Sequence, residues 1–170
     1  MGAFAQHPSL PIPLPHANVH SGTEWSALDA TVTSIVIDSA CDVEGASVTV
    51  LDFSRFANLT HVEVGNYAFL NVNEVKLVGL GALESVVIGR NCFASEPDSD
   101  APTVRRCLTV KDCPKLTTLE VGMGSFKSYS VCAIENNAAL ETLAFGKVSE
   151  EMSMFFSGSL ELKSAFIRSE

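Results

Sequence analysis

Hydrophobic and polar residues alternate over short stretches of this chain, and the alternating stretches recur. Four of them align without gaps, starting at Leu59, Leu83, Leu116 and Leu140, and share the pattern L-x-x-(L/V)-x-(V/I/F)-G. Their starts are separated by 24, 33 and 24 residues, and a weaker copy starts at Val32. A period of two residues is typical of half-buried strands, whereas helices repeat apolar positions every three or four residues. The pattern therefore predicts a repeat built from short strands.

A second alternating stretch precedes each leading leucine. Its inward positions are mostly apolar, in the pairs Leu51/Phe53, Val75/Leu77, Leu108/Val110, Cys132/Ile134 and Leu160/Leu162. One repeat thus holds two short strands on opposite sides of a flattened coil, and stacked coils bury together the faces that one coil cannot bury alone. The predicted fold class is mainly β, a solenoid of about five coils with two strands per coil and little helix.

The stretch from Leu80 to Phe93 reads L-x-x-L-x-x-V-x-I-x-x-N-x-F, which resembles the conserved segment of the leucine-rich repeat family. The similarity runs from about Val32 to Leu162. The strand-rich, phenylalanine-containing repeats are also similar to those of BspA-like surface antigens of bacteria and protists. The resemblance implies concave strands centred on Ile35–Ile37, Val62–Val64, Val86–Ile88, Leu119–Val121 and Leu143–Phe145.

Two features of the repeat concern its turns. The family asparagine is present only at Asn91, so we do not expect a continuous asparagine ladder; the matching positions hold Tyr67, Gly124 and Val148. A glycine follows four of the five concave strands, which predicts either positive φ or a close approach of two backbone segments, at Gly65, Gly89, Gly122 and Gly146. Phenylalanines four residues later predict an aromatic stack in the core, at Phe69, Phe93 and Phe126.

Side chains between the buried positions of the concave strands point outward. The family resemblance implies that a protein or peptide binds there. A merely solvated sheet face is the alternative, since this surface lacks the aromatic anchors common in interfaces. The candidate binding residues are Ser34, Val36, His61, Glu63, Ser85, Val87, Thr118, Glu120, Thr142 and Ala144.

The remaining segments divide the chain. Residues 1–24 are Pro-rich and predict a disordered leader without a secretory signal, and the solenoid is expected over 25–170. Residues 95–103 form an acidic insertion that accounts for the 33-residue spacing and predicts a protruding loop. Trp25 and Leu28 are expected to cover the open end of the first coil.

Composition narrows the possible partners. The chain carries 11 Lys and Arg against 20 Asp and Glu, a net charge of −9 that disfavours nucleic acid and anionic membranes. No apolar run reaches the roughly 20 residues that span a bilayer, so we expect no membrane insertion. The five cysteines are odd in number and lack C-x-x-C spacing, which favours buried free thiols and a cytoplasmic location.

Nothing in the chain indicates catalysis. Of the four histidines, only His61 falls within a repeat. The sequence contains no nucleophile elbow, phosphate loop or zinc motif. We therefore predict no catalytic, cofactor or metal site. The expected function is a non-catalytic protein–protein interaction module or scaffold, binding an unknown protein or peptide through the concave face or the inserted loop. The alternative is a structural or surface-adhesion fragment that self-associates through its open C-terminal end.

Overall fold

The structure is a computed structural model, and it describes residues 15–43, 48–94, 105–146 and 159–163. In chain order the elements are β1 (His16–Val19), α1 (Gly22–Ala27), β2 (Ser34–Ile37), β3 (Val50–Asp52), a 3-10 turn (Phe53–Arg55), β4 (His61–Val64), β5 (Glu74–Val78), β6 (Ser85–Ile88), β7 (Cys107–Lys111), β8 (Thr118–Val121), β9 (Val131–Glu135), β10 (Thr142–Phe145) and β11 (Ser159–Lys163). The described part of the chain is therefore mainly β with almost no helix, as the sequence predicts.

The strands form two parallel sheets. Sheet A has the order β1-β2-β4-β6-β8-β10, and sheet B has the order β3-β5-β7-β9-β11. From β2 onward, successive strands alternate between the two sheets, and a short 3-10 turn follows β3. Strands that are next to each other in a sheet pair in the register of the sequence repeat, so that Val62 lies opposite both Ile35 and Val86. The register also holds across the 33-residue spacing, where Val86 pairs with Leu119.

One hydrophobic core receives side chains from both sheets. In each four- or five-residue strand between β2 and β9, every second side chain is buried. Ile35 and Leu119 of sheet A and Leu77 and Leu108 of sheet B are almost completely shielded from solvent and belong to the same cluster. Burial of these aliphatic chains is the main driving force that joins the sheets. The alternation of inward and outward residues that the sequence predicts is thus confirmed in these strands, whereas Leu162 of β11, a predicted inward residue, is exposed.

Regular secondary structure is present before the predicted boundary at residue 25. Strand β1 pairs with β2, and Val19 is fully buried. Helix α1 follows directly, with the Ser21 hydroxyl accepting the Glu24 amide hydrogen bond as an N-cap. The prediction of a disordered leader is therefore wrong for residues 15–24. Ala17 and Val19 point inward and alternate with outward polar residues, so this segment can add a strand to sheet A. The rest of that segment, 1–14, and the 95–103 insertion lie outside the described residues.

Trp25 is a core residue beside the first strand of sheet B. Its ring is 4% exposed and packs edge-on against Phe53, Phe56 and Phe69. The Arg55 guanidinium lies 5.1 Å from the Trp25 ring centroid and donates a 2.6 Å hydrogen bond to the Trp25 carbonyl. These contacts attach α1 to the turn after β3, which favours a packing role for this tryptophan.

The glycine after each repeated strand of sheet A permits close backbone approach. A Cβ atom on Gly122 would lie 2.5 Å from the Gly89 carbonyl carbon, and one on Gly65 would lie 2.4 Å from the Ser39 nitrogen. Positive φ occurs instead two and four residues beyond the glycine, at Tyr67, Phe69, Asn91, Phe93, Gly124 and Phe126. Of the two predicted explanations for these glycines, close approach is correct. Bulky residues with positive φ are rare, so core packing must hold the phenylalanines there.

These phenylalanines are buried as predicted. Phe93 and Phe126 are stacked with their ring centroids 4.7 Å apart, and Phe126 also contacts Tyr129 edge-on. The Phe69 ring faces Trp25, with 6.4 Å between the ring centroids. The predicted aromatic stack is therefore present between Phe93 and Phe126, whereas Phe69 packs against Trp25 of α1.

Side chains other than the family asparagine satisfy the backbone of these turns. The Asn66 Oδ1 atom accepts the Arg90 amide at 2.8 Å. In the next turn, the Ser125 hydroxyl accepts the Cys92 amide at 2.9 Å and donates to the Gly89 carbonyl at 2.8 Å. Different short polar side chains, rather than a ladder of identical residues, thus form hydrogen bonds with the backbone of these turns. In the described part of the chain, no helix is long and apolar enough to cross a membrane.

Candidate functional site

The outer surface of sheet A, which we call face A, brings all ten predicted binding residues together. Because the strands are in register, the side chains form two rows that cross the sheet. The first row is His16, Ser34, His61, Ser85, Thr118 and Thr142, and the second is Asn18, Val36, Glu63, Val87, Glu120 and Ala144. Sequence reasoning missed His16 and Asn18, because it assigned β1 to the leader. The alternation of Ala17 and Val19 was the signal that could have found them.

Acidic and apolar groups alternate along the second row. Glu63, Val87 and Glu120 lie side by side on three neighbouring strands, and Val87 is 38% exposed. With strands about 4.8 Å apart, the two carboxylates are attached to backbone positions roughly 10 Å apart. The centre of face A is therefore an exposed aliphatic side chain between two acids.

Face A carries unneutralised negative charge. Among the described residues, Glu63 and Glu120 have neither an ion pair nor a hydrogen bond through their carboxylates, and neither row contains Lys or Arg. Glu84, which precedes β6, lies 3.9 Å from the His61 Nε2 atom, and Glu141 precedes β10. Four carboxylates in or beside the rows make this surface attractive to cationic groups.

Hydrogen bonds hold part of face A in place. The His16 ring lies 3.2 Å from the Ser34 hydroxyl and 3.0 Å from the Asn18 Oδ1 atom. Where the strands begin, the Thr60 hydroxyl donates to the Thr33 carbonyl at 2.8 Å, and the Thr117 hydroxyl donates to the backbone carbonyl of Glu84 at 3.0 Å. These bonds link neighbouring strands, so the face is formed before any partner arrives.

Potential metal ligands are dispersed in the described part of the chain, and most of the thiols are buried. No group of three His, Cys, Asp or Glu residues in the described ranges could hold a metal ion. All five thiols are free, and burial raises the pKa of Cys41 to about 11 and that of Cys132 to about 12. Because the thiolate is the nucleophilic form, these cysteines are poor nucleophiles at neutral pH.

One histidine outside face A has a strong acidic partner. His20 Nδ1 lies 2.5 Å from Asp38 Oδ2, and the His20 amide donates to Glu24 at 2.8 Å. The hydrogen bond with Asp38 raises the pKa of His20, and the charge of Asp38 adds to the effect. Both side chains are exposed, and the pair joins the end of β1 to the end of β2. It contributes to the attachment of the edge strand.

The outer surface of sheet B, which we call face B, differs in charge and in shape. Lys111 and Lys163 both lie within ion-pair distance of Glu135, at 3.4 and 3.5 Å. A groove of about 560 Å³ opens on this face, lined by Thr49, Val50, Asn73, Glu74, Arg105, Cys107, Thr109, Val131, Ala133 and Glu161. Sequence analysis singled out no residue of face B. The sequence feature that could have indicated paired charges on this face is the Glu-x-Lys spacing in β5 and β11.

Comparison with known proteins finds no family model that matches the chain, no curated protein that matches it and no solved structure that matches it. The repeat pattern and the geometry of the two faces are therefore the grounds on which a function can be proposed.

Proposed function

We propose that this chain is a leucine-rich-repeat solenoid that acts as a non-catalytic protein–protein interaction module and binds through face A. The solenoid part of the proposal is supported by parallel strands that recur in register with the sequence repeat. Repeats that contact mainly their neighbours produce an extended surface of equivalent positions, which is what solenoid proteins use for binding.

The observation that carries the binding proposal is the row Glu63–Val87–Glu120. Two exposed carboxylates, which have no partner among the residues that the structure describes, flank an exposed valine. A protein that places an apolar group on Val87 can therefore offer Lys or Arg to both acids. Such a partner gains charge-assisted hydrogen bonds without displacing existing ion pairs. The preferred partner is therefore a basic protein segment.

Preorganisation favours the same surface. The side chains of face A stand on strands whose backbones pair on both sides, apart from the edge strands. A binding surface that is already ordered loses little conformational entropy when a partner docks, which leaves more of the contact energy for affinity. The face is small-residue-rich rather than aromatic, so we expect moderate affinity that depends on charge.

The test selects ligands from a displayed peptide library on the purified full chain and measures their affinities by calorimetry. We expect selected peptides rich in Lys and Arg, with affinity reduced about tenfold or more by the double substitution Glu63→Gln and Glu120→Gln, since two charged hydrogen bonds are lost. The matched control is Glu74→Gln with Glu161→Gln on face B, which should leave affinity unchanged. Equal affinity for the face A variant would exclude this face as the binding site.

Self-association is a second candidate function, favoured by one side chain. Leu162 of β11 occupies the core-facing position next to Ile134 of β9, yet Leu162 is 57% exposed while Ile134 is 3% exposed. A second copy of the chain could cover this leucine. Light scattering over a range of concentrations should then show a dimer that Leu162→Glu abolishes, and a monomer at millimolar concentration would exclude this candidate.

A further inference from the structure

His61 stands beside the carboxylates of face A. It occupies the first row on β4, and Glu63 is the next outward residue of the same strand, roughly 7 Å away along the backbone. Glu84 approaches from the start of β6, where its Oε2 atom lies 3.9 Å from the His61 Nε2 atom. The side chains of His61 and Glu84 are both more than half exposed, so water and a ligand can reach them. A charge that appears on His61 therefore acts directly on this surface.

Hydrogen bonds determine which ring nitrogen of His61 carries the proton when the ring is neutral. The Thr60 hydroxyl has one proton and donates it to the Thr33 carbonyl at 2.8 Å. The same hydroxyl oxygen lies 2.8 Å from His61 Nδ1, so it accepts a hydrogen bond from that nitrogen. This assigns the proton of the neutral ring to Nδ1. Because a neutral imidazole has one N–H group, Nε2 is unprotonated and faces the Glu84 carboxylate without a hydrogen bond.

The neighbours of His61 add no positive charge to this part of face A. The strands on either side of β4 present uncharged outward side chains, which are Ser34, Val36, Ser85 and Val87. Two strands away lie Glu120 on β8 and His16 on β1, and the His16 ring contacts the side chains of Ser34 and Asn18. Within the described residues neither row contains Lys or Arg. Protonation of His61 thus introduces a cation among carboxylates that otherwise face uncharged groups.

We propose that protonation of His61 weakens the binding of basic protein segments to face A as the pH falls. Histidines exchange a proton between about pH 5 and 8. The incoming proton binds to Nε2, which then donates a hydrogen bond to Glu84. This occupies one carboxylate and places a positive charge next to Glu63, and a cationic ligand is attracted less on both counts. The inference rests on the function proposed for face A and specifies how that site is regulated.

The first test measures peptide affinity for the full chain by calorimetry in low salt, at about pH 7.5 and at about pH 5.5. The probe is the tightest-binding histidine-free peptide from the library selection, with both termini blocked. We expect wild type to bind about threefold or more weakly at the lower pH, which is the effect of one new exposed charge several ångströms from a cationic ligand. His61→Gln should bind equally at both pH values. The matched control His20→Gln removes a histidine outside face A and should keep the pH dependence of wild type.

Proton release provides a second measurement. Because coupling between two ligands is reciprocal, a peptide that disfavours protonated His61 must displace protons when it binds. Heats of binding near pH 6.5, compared between buffers of different ionisation enthalpy, should show this release for wild type and for His20→Gln but not for His61→Gln. Independently of any peptide, nitrogen-15 shifts of the His61 ring at about pH 8.5 should show Nδ1 protonated and Nε2 bare.

The outcomes separate this inference from the function on which it rests. Equal peptide affinity at both pH values, or a pH dependence that His61→Gln retains, would overturn the inference while leaving peptide binding to face A intact. A neutral ring protonated on Nε2 would overturn the assigned tautomer and the pair that Nε2 forms with Glu84 on protonation. Absence of basic peptide binding at every pH would contradict the proposed function itself, and the inference would fail with it.

Discussion

The two outer faces of this molecule are built from short parallel strands in which every second residue points inward, yet the charged side chains of the two faces are arranged in opposite ways. On face B, Glu135 accepts ion pairs from two lysines on neighbouring strands. On face A, Glu63 and Glu120 stand beside uncharged neighbours, and the described residues of both rows contain no lysine or arginine. Because ion-paired groups satisfy one another, face B is largely neutral, while face A keeps its charge available.

The difference shows that the role of an outward-facing residue depends on the side chains beside it on neighbouring strands as much as on its own type. A glutamate on a strand is either a structural partner or a binding group, depending on the side chain contributed by the next repeat. In a parallel, in-register sheet, that neighbour is at the same repeat position and about 4.8 Å away. The residue types at equivalent positions therefore separate a face whose charges are paired from a face whose glutamates have no ion pair among the described residues.

The largest expected effect tests whether the two faces share one core. Leu119→Ala in sheet A and Leu108→Ala in sheet B should each lower the free energy of unfolding by about 3 kcal/mol, since both side chains are fully buried. Urea denaturation followed by circular dichroism should show one transition for both variants. The outward control Val87→Ala should cost about 0.5 kcal/mol or less. Two separate transitions would show that the sheets unfold independently.

The next effect distinguishes the turns of the two sheets. Gly122→Ala should lower the free energy of unfolding by about 2 kcal/mol, because its new Cβ atom would meet the backbone of Gly89 at 2.5 Å. Gly81→Ala, in the turn after β5, has open space around the added atom and should change the free energy by about 0.5 kcal/mol or less. Thermal unfolding of both variants measures these changes in stability. Similar losses would contradict the close approach assigned to the sheet A turns.

A smaller effect compares the charges of the faces directly. Glu135→Gln on face B should lower the free energy of unfolding by about 0.5 kcal/mol, as is common for surface ion pairs. Glu120→Gln on face A should leave it unchanged or raise it slightly, because removing a charge without a partner relieves repulsion in a chain of net charge −9. Chemical denaturation at low salt and at about 1 M salt measures both, and the loss at Glu135 should shrink as salt screens the pairs.

The smallest effect concerns the edge of sheet A and depends on pH. The folded state raises the pKa of His20 above its ordinary value of 6.5, so the folded state binds that proton more tightly than the unfolded state does. The resulting stabilisation is complete below pH 6.5 and is lost as the pH rises through the folded-state pKa. Urea midpoints of wild type and His20→Gln should therefore differ at low pH and converge at high pH.

The matching variant Asp38→Asn should remove the same pH dependence, since the Asp38 carboxylate is the main cause of the shift. A difference between wild type and His20→Gln that persists unchanged at high pH would assign the effect to packing rather than to the His20–Asp38 pair.

Much of the fold was accessible from the sequence. Residues such as Val62 and Leu119 belong to repeats with a clear period of two, and they are buried in strands where the repeat predicts them. Strand β1 escaped detection because its signal consists of Ala17 and Val19 alone, directly after a Pro-rich stretch. The burial of Phe126 was predicted, but its positive φ was not, since that conformation is favoured by packing and opposed by local preference.

The two surfaces also differ in how much of each could be predicted from the sequence. All ten outward residues predicted for the concave strands lie on face A, because alternation alone decides which side of a strand a residue occupies. The groove on face B was not foreseen, since Cys107, Val131 and Ala133 are unremarkable within their own segments. They line one groove only when neighbouring repeats are placed side by side.

Amino-acid order alone specifies the strands, their inward and outward sides and the repeat that sets their neighbours, because alternation and spacing are local properties of a chain. Three-dimensional packing alone decides that β1 joins sheet A, and that Glu135 is ion-paired while Glu120 has no partner among the described residues. Those outcomes depend on distances between side chains contributed by different repeats, and such distances are set only when the sheets have assembled around their common core.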